Sequence, residues 1–316
     1  MTERVVLSIV VPVFNEAEVV ERFHARLVAV LDRVNVPSEG IFVDDGSRDG
    51  TFERILQIRG RDLRVKALQL TRNFGHQAAL TAGLDHASGE AVITMDGDLE
   101  HPPELIPDLL AKWRDGYQVV HTKREAAGSA RPLTAILSRT FYRVFNALAQ
   151  IELPESGPDY RLLDRRVVEA LRGLPERARF IRGLSVWVGF RQTAVPFAVG
   201  ERVGGAPGYS ARKRLRLALE GMTSFSVAPL RAATLAGAAI AALAFLYGSY
   251  AIVMKLFTER SVRGWASVLA VVSFLSGLQL LGLGLVGEYI GRIYEEVKGR
   301  PVYLLSARAG LDEPRP

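Results

Sequence analysis

The stretch Met95-Asp96-Gly97-Asp98-Leu99-Glu100-His101-Pro102-Pro103-Glu104 sets two carboxylates one residue apart and a third two residues further on. The apolar run Ala91–Met95 before it reads as a short buried strand. At the end of a strand, Asp96 and Asp98 can converge on one hard cation, with Glu100 close enough to be a third oxygen ligand. Mg²⁺ or Mn²⁺ takes such ligands and often bridges to phosphate oxygens. Gly97 is expected to let the backbone turn tightly between the pair. A motif this short also suits a solvated acidic turn, so the surrounding elements have to decide.

Those elements alternate. Val5–Val13 is a nearly continuous β-branched run suited to a central parallel strand, and a helical pattern follows from Ala17 to about Val34. Gly40–Val43 and Val65–Leu70 read as two further strands, with a helix opening at Asp49-Gly50-Thr51 between them. Another helix runs to about Ala87, before the strand Ala91–Met95. Strands alternating with helices predict βαβ units and a parallel sheet, with ligands at the carboxyl ends of the strands. Each of the four strands ends in polar residues: Asn15/Glu16, Asp44/Asp45, Arg72/Asn73 and Asp96/Asp98. That coincidence is stronger evidence for a site than any one motif. It suits a nucleotide, with an aspartate on the base and a metal on the diphosphate. No G-x-x-x-x-G-K-[ST] and no G-x-G-x-x-G after a strand occurs, so the P-loop and Rossmann readings fail.

The chain of 316 residues is 48% hydrophobic, with the apolar excess in its last third. With no cysteine it has no disulfide framework and no thiolate metal site. Its net charge is +6, but the acids cluster early and the arginine-rich stretches flank apolar segments, which suits anionic lipid headgroups rather than nucleic acid. No basic region followed by an apolar core opens the chain, so no signal peptide is expected.

Four motifs occur in order: Pro12-Val13-Phe14-Asn15-Glu16, Val43-Asp44-Asp45-Gly46-Ser47-Arg48-Asp49-Gly50-Thr51, Arg72-Asn73-Phe74-Gly75 and Asp96 to Glu104. Together they resemble the family 2 glycosyltransferases of the polyprenyl-phosphate type, the dolichol-phosphate mannose synthases and GtrB-like bacterial glucosyltransferases. The resemblance runs through essentially the whole chain. It implies an α/β GT-A fold with a mostly parallel sheet, a nucleotide-sugar donor and a divalent metal. Pro12, Phe14, Asn15, Glu16 and Asp44 would then line the nucleotide pocket, joined by Asp45, Asn73 and Asp96 at their strand ends. Asp96, Asp98 and Glu100 would be the metal set, Glu100 standing where the family often has Gln.

Val119 and Val120 end another strand. Pro132 to Leu148 then shows one helical stripe of Leu133, Ile136, Leu137, Phe141, Val144, Phe145 and Leu148, bordered by Arg131, Arg139 and Arg143. Such a helix suits either a membrane interface or a core. By the resemblance, Arg124, Arg139, Arg131 and Arg202 are candidates to grip an acceptor phosphate. Gly157-Pro158-Asp159-Tyr160-Arg161-Leu162 resembles the family stretch whose aspartate is proposed as the base, which makes Asp159, with Asp98 at the metal, the candidate catalytic residue. A phosphate monoester has its second pKa near about 6, so the acceptor needs little deprotonation and Asp159 has the alternative of orienting an arginine. Arg182, in the Arg182-Gly183 to Gly189-Phe190 block, is a further phosphate contact, and Trp187 is expected to pack. Where family members carry R-x-x-G-x-S-K-Y, this chain reads Arg202 to Tyr209 with Pro207-Gly208 for Ser-Lys.

The basic run Arg212-Lys213-Arg214-Leu215-Arg216 precedes two stretches free of charge, Ala232–Met254 and Gly264–Gly287, each longer than the about 20 residues that cross a bilayer. Basic residues on the outer flanks outnumber Lys255, Arg260 and Arg263 in the connecting loop. The expected organisation is therefore a cytoplasmic catalytic domain over 1–210, a basic juxtamembrane helix over 211–230, a transmembrane hairpin over 231–288 and a cytoplasmic tail over 289–316, unstructured from Arg308. Glycines 277, 282, 284 and 287 suit close helix packing, with a homo-oligomer expected. The expected activity is transfer of one hexose, UDP-glucose favoured, to polyprenyl phosphate on the cytoplasmic face of the plasma membrane, with Mg²⁺ or Mn²⁺. Rivals are a GDP-mannose or modified-sugar transferase, a processive synthase (which would need Q-x-x-R-W and more spans) and an inactive nucleotide-sugar-binding scaffold.

Overall fold

The computed structural model describes residues 5–124, 159–177, 179–197, 228–257 and 264–311. Within them, strand β1 (Leu7–Val13) is buried at all seven positions, as its β-branched run demands of a strand covered on both faces. Helix α1 (Val20–Val34) follows. It buries Val20, Phe23, Leu27, Val30 and Leu31, one face of a 3.6-residue period, and stops at Asn35, whose left-handed backbone donates to Leu31 O. Strand β2 (Ser38–Asp44), helix α2 (Thr51–Arg61), strand β3 (Val65–Leu70), helix α3 (His76–His86) and strand β4 (Ala91–Thr94) complete the alternation. A 3₁₀ turn (Pro103–Leu105) leads into helix α4 (Ile106–Arg114). Beyond it lie strand β5 (Val119–Arg124), strand β6 (Arg161–Asp164), helix α5 (Arg165–Gly173), helix α6 (Ile181–Trp187) and strand β7 (Gln192–Phe197).

With strand β8 (Leu305–Ala309), the described strands form one sheet in the order β7-β5-β6-β4-β1-β2-β3-β8. β1 pairs in parallel with β2 and β4, β2 with β3, and β5 with β7; β6 runs antiparallel between β4 and β5. The core under α1 and α2 joins Ile9, Val11, Phe23, Leu27, Phe42 and Ile55, with Phe23 edge-to-face on Phe42 at 6.1 Å. Each such side chain contributes roughly 1.5–3 kcal/mol on burial. Four parallel strands therefore hold their carboxyl ends rigidly on one side of the sheet.

Two expectations are corrected. Arg308 was expected to begin an unstructured tail, but Leu305–Ala309 form strand β8, antiparallel to β3. Its small, weakly patterned residues gain order from the free edge of β3. Trp187 was expected to pack, but it ends the short α6 and is 56% exposed, while Ile181 and Leu184 bury that helix.

The chain divides into two compact units, the sheet unit (1–147, 151–209 and 301–316) and a second one (148–150 and 210–300). The second contains helix α7 (Ala228–Phe257) and helix α8 (Trp265–Val297), whose segments Ala233–Tyr250 and Phe274–Val297 have mean hydropathies of 1.5 and 1.3. α8 runs past the uncharged stretch through Glu288 and Arg292, which pair at 3.3 Å. The stripe from Pro132 to Leu148, Arg131, Arg139, Arg202, the Pro207-Gly208 departure and the basic run 212–216 lie outside the described residues. Arg124 closes β5.

Candidate functional site

A cavity of about 360 Å³ opens at the carboxyl ends of β1 to β4. β1 gives it Pro12, Val13, Phe14 and Glu16; β2 gives Asp45; the β3–α3 connection gives Asn73, Gly75, His76 and Ala79; β4 gives Asp96, Gly97 and Asp98. All four polar strand ends read from the sequence thus meet around one space.

The loops are stitched together. Asn15 N–H donates to Ser47 Oγ (2.8 Å), Arg48 N–H to Asn15 Oδ1 (3.1 Å) and Glu16 N–H to Thr51 Oγ1 (2.9 Å). Asn15 holds a left-handed backbone (φ 54°), a conformation asparagine adopts more readily than most non-glycine residues. Asp45 accepts from Phe74 N–H (2.7 Å) and Gly75 N–H (2.9 Å), fixing the β3–α3 loop. Gly46 sits so close to the Arg72 and Asn73 backbone that a Cβ would overlap it. Asp44, expected on the wall, is instead fully buried behind it, accepting from Ser47 N–H (3.0 Å) and Gln69 Nε2 (3.2 Å). Successive strand residues point to opposite faces, so only one of the two aspartates reaches the cavity.

At β4 the glycine of the acidic pair has a different reason from the one expected. The left-handed residue is Leu99 (φ 67°), while a Cβ on Gly97 would lie 2.9 Å from Val13 Cγ1. Gly97 serves close approach to β1. Asp96 N–H donates to Nδ1 of His101 (3.0 Å), which makes that nitrogen an acceptor. His101 is 1% exposed and stacks on Tyr160 at 5.3 Å, and Tyr160 Oη donates to Pro102 O. A buried aromatic prop therefore holds the acidic turn.

Asp96 Oδ1 meets His76 Nε2 at 2.7 Å, and His76 Nδ1 lies 3.7 Å from Asp159 Oδ2. Burial pushes the Asp96 pKa up, but the His76 hydrogen bond and the two histidines outweigh it, and the net shift is down. Asp98 is raised by burial and by the Asp96 and Glu100 charges. Glu16 is raised by burial and by Asp98 and Asp49. Burial is the larger cause of both raised values, and the crowding of like charge adds to it. The oxygen donor set and this crowding fit a divalent cation held by Asp96 and Asp98. Among the described residues no three His, Cys, Asp or Glu side chains converge as a ready cage, so Glu100 is not assembled with the pair. Its N–H donates to Asp98 Oδ1 (3.0 Å). Mg²⁺ characteristically binds through one or two carboxylates plus substrate phosphates, which two aspartates suffice to begin.

Asp159 is held from every side. Arg161 donates to Oδ1 at 2.7 Å, Arg182 lies 3.5 Å from it, and Gln77 Nε2 donates to Oδ2 at 3.3 Å while its Oε1 accepts from Ile181 N–H. Burial raises the Asp159 pKa, but Arg161 and Arg182 pull it below the usual range. Arg161 is 1% exposed; burial lowers its pKa to about 10, so it stays charged near neutrality. His76, Gln77, Arg161 and His101 were not among the sequence-read site residues. For His76 the available signal was its place at a helix start directly after the Arg72-Asn73-Phe74-Gly75 loop.

Residues 8–172 match the model of Glycosyl transferase family 2, and residues 228–293 match that of the GtrB C-terminal hairpin. The uncharacterized glycosyltransferase YkcC of Bacillus subtilis (strain 168) is 41% identical over 318 residues, covering 100% of this chain and 98% of that protein. The SfII prophage-derived bactoprenol glucosyl transferase of Shigella flexneri is 42% identical over 299 residues, covering 95% and 97%. Among solved structures, mannosyl-3-phosphoglycerate synthase from Rubrobacter xylanophilus aligns with a TM-score of 0.50 at 17% identity over 68% of this chain and 71% of that one, a likeness of fold. With its mostly parallel GT-A sheet and two apolar helices, this chain is a membrane-associated glycosyltransferase of family 2 that carries the GtrB-type hairpin.

Proposed function

We propose that this enzyme transfers one hexose, glucose from UDP-glucose, to polyprenyl phosphate at the cytoplasmic face of the plasma membrane, with inversion. The observation that carries the reading is the convergence of four polar strand ends on one cavity in a chain with two membrane-length helices. The bactoprenol glucosyl transferase named from Shigella flexneri favours glucose and a prenyl acceptor. A prenyl chain gains roughly 0.8 kcal/mol per buried CH₂, so its phosphate stays at the bilayer and the enzyme has to come to it.

Asp96 and Asp98 would hold Mg²⁺ or Mn²⁺, which when bound neutralises charge on the departing diphosphate. Phe14, Glu16, Asp45 and Asn73 line the donor's nucleotide end. An acceptor phosphate oxygen bonds to the anomeric carbon as the bond to the diphosphate breaks, its electron pair leaving with the diphosphate. One such displacement inverts the centre. Near neutrality the acceptor is mostly a dianion and needs no base. Asp159, low in pKa and engaged by Arg161 and Arg182, serves better to aim those cations than to take a proton.

The test is a panel of nucleotide sugars incubated with membranes carrying the enzyme, followed by mass spectrometry of the extracted lipid. An acid-labile hexosyl phosphoprenol formed only with UDP-glucose is expected. Labelling from GDP-mannose instead would replace the donor assignment, and no lipid product from any donor would overturn the reading.

A further inference from the structure

Strand β8 follows the two apolar helices in sequence yet closes the sheet beside the cavity. Its register against β3 pairs Leu70 with Leu305 and Gln69 with Ala307, which leaves Ser306 as the extra residue of an irregularity between Gln69 and Leu70. Such bulges re-aim a side chain and concentrate near functional sites. Ser306 Oγ lies 3.2 Å from Gln69 Oε1, 3.2 Å from Gln69 O and 3.4 Å from Leu70 O, all acceptors, so the hydroxyl is the donor.

The orientation of the Gln69 amide follows. Asp44 is a carboxylate that can only accept, so the Gln69 nitrogen faces Asp44 Oδ2 (3.2 Å) and its oxygen faces Ser306. The other oxygen of Asp44 accepts from Ser47 N–H, and Ser47 Oγ accepts from Asn15 N–H. Hydrogen bonds thus run from Ser306 through Gln69 into one oxygen of Asp44 and from Asn15 through Ser47 into the other, linking β8 to the loops that carry Asp45 and Phe14. The same segment also holds the start of the third cavity loop and the far end of the helix that follows it. Leu304 O accepts from Thr71 N–H (2.9 Å), and Tyr303 Oη donates to Asp85 Oδ2 (3.0 Å) on α3, the helix that begins at His76.

We propose that β8 is a working part of the donor site, and that Ser306 and Gln69 are positioning residues that set the Asp45–Ser47 loop, through Asp44, for a nucleoside diphosphate. The inference rests on the reading of the cavity as a nucleotide-sugar site. Full-length enzyme in detergent with Mn²⁺ is titrated calorimetrically with UDP and with GDP, and donor and acceptor kinetics are measured in parallel. Ser306→Ala is expected to weaken UDP binding and raise the donor KM about two- to tenfold, the range of one net hydrogen bond. The kcat and the KM for prenyl phosphate stay at wild-type values. Ser306→Thr, which keeps the hydroxyl, restores binding, and on a Gln69→Ala background Ser306→Ala has no further effect. Unchanged UDP affinity in Ser306→Ala, the same loss on the Gln69→Ala background, or an equal rise in acceptor KM overturns the proposal. Wild-type enzyme that binds neither UDP nor GDP removes the donor reading and this inference with it.

Discussion

Replacing Asp159 with Asn separates two mechanisms. The substitution keeps the shape and one acceptor oxygen but removes the charge that Arg161 contacts at 2.7 Å and Arg182 approaches at 3.5 Å. A hydrogen bond to a charged group contributes about 1.5–3 kcal/mol, so loosening the two guanidinium groups should cost roughly 10- to 150-fold in kcat/KM for the acceptor. Arg161 is left buried with a weaker partner. Breaking a buried pair costs about 3–5 kcal/mol, and the retained amide oxygen places this variant toward the lower end. The assay is transfer to a short-chain prenyl phosphate from pH 5 to 9, with thermal unfolding of the same samples. If Asp159 aims arginines, wild type and variant share one acid limb, set near about 6 by the acceptor's own second ionisation. A limb present in wild type and absent in Asp159→Asn would show that the carboxylate itself takes the proton and would refute the positioning role.

Asp96→Ala and Asp98→Ala should each abolish transfer while the protein still inserts in membranes, and EDTA should do the same reversibly to wild type; the readout is lipid-linked sugar, with Mg²⁺ or Mn²⁺ added back. Gly97→Ala pushes a methyl to 2.9 Å from Val13 Cγ1, so it should lose about 1–3 kcal/mol of stability and bind UDP more weakly, measured by melting and calorimetry. His121 is buried, and burial with the nearby Arg161 charge lowers its pKa from 6.5 to about 4, against the raising effect of its Gln192 hydrogen bond. The unfolded chain therefore takes up that proton first as pH falls. The folded state loses about 2 kcal/mol between pH 7.5 and 5, and the loss stops growing below about 4. His121→Gln should remove that slope, seen as a smaller drop in apparent melting temperature over the same pH range.

The part of the site built from local signals was legible in the sequence. β1 to β4 announce themselves as apolar runs that stop at polar residues, and parallel βαβ logic puts those stops on one side. What was not legible is non-local. Asp44 and Asp45 are neighbours in sequence, and only the register of β2 decides that Asp45 reaches the cavity while Asp44 is buried. Gln77 meets Asp159 and Ile181 through hydrogen bonds across 82 and 104 residues, contacts that no periodicity records. β8 lacks the β-branched run that marks the central strands, and its order comes from the partner it finds.

That last strand has a consequence for synthesis. Domains generally fold as units while the ribosome is still adding residues, the earlier segments first. The outer edge of β3 stays bare until residues 305–309 emerge, after both apolar helices have been made. A bare edge is a template for stray pairing with other chains, so the newborn sheet is most vulnerable during the interval in which the helices are delivered to lipid. Since the same strand steadies the sugar-donor pocket, an unanchored, half-made molecule would be a poor consumer of the cell's activated sugar.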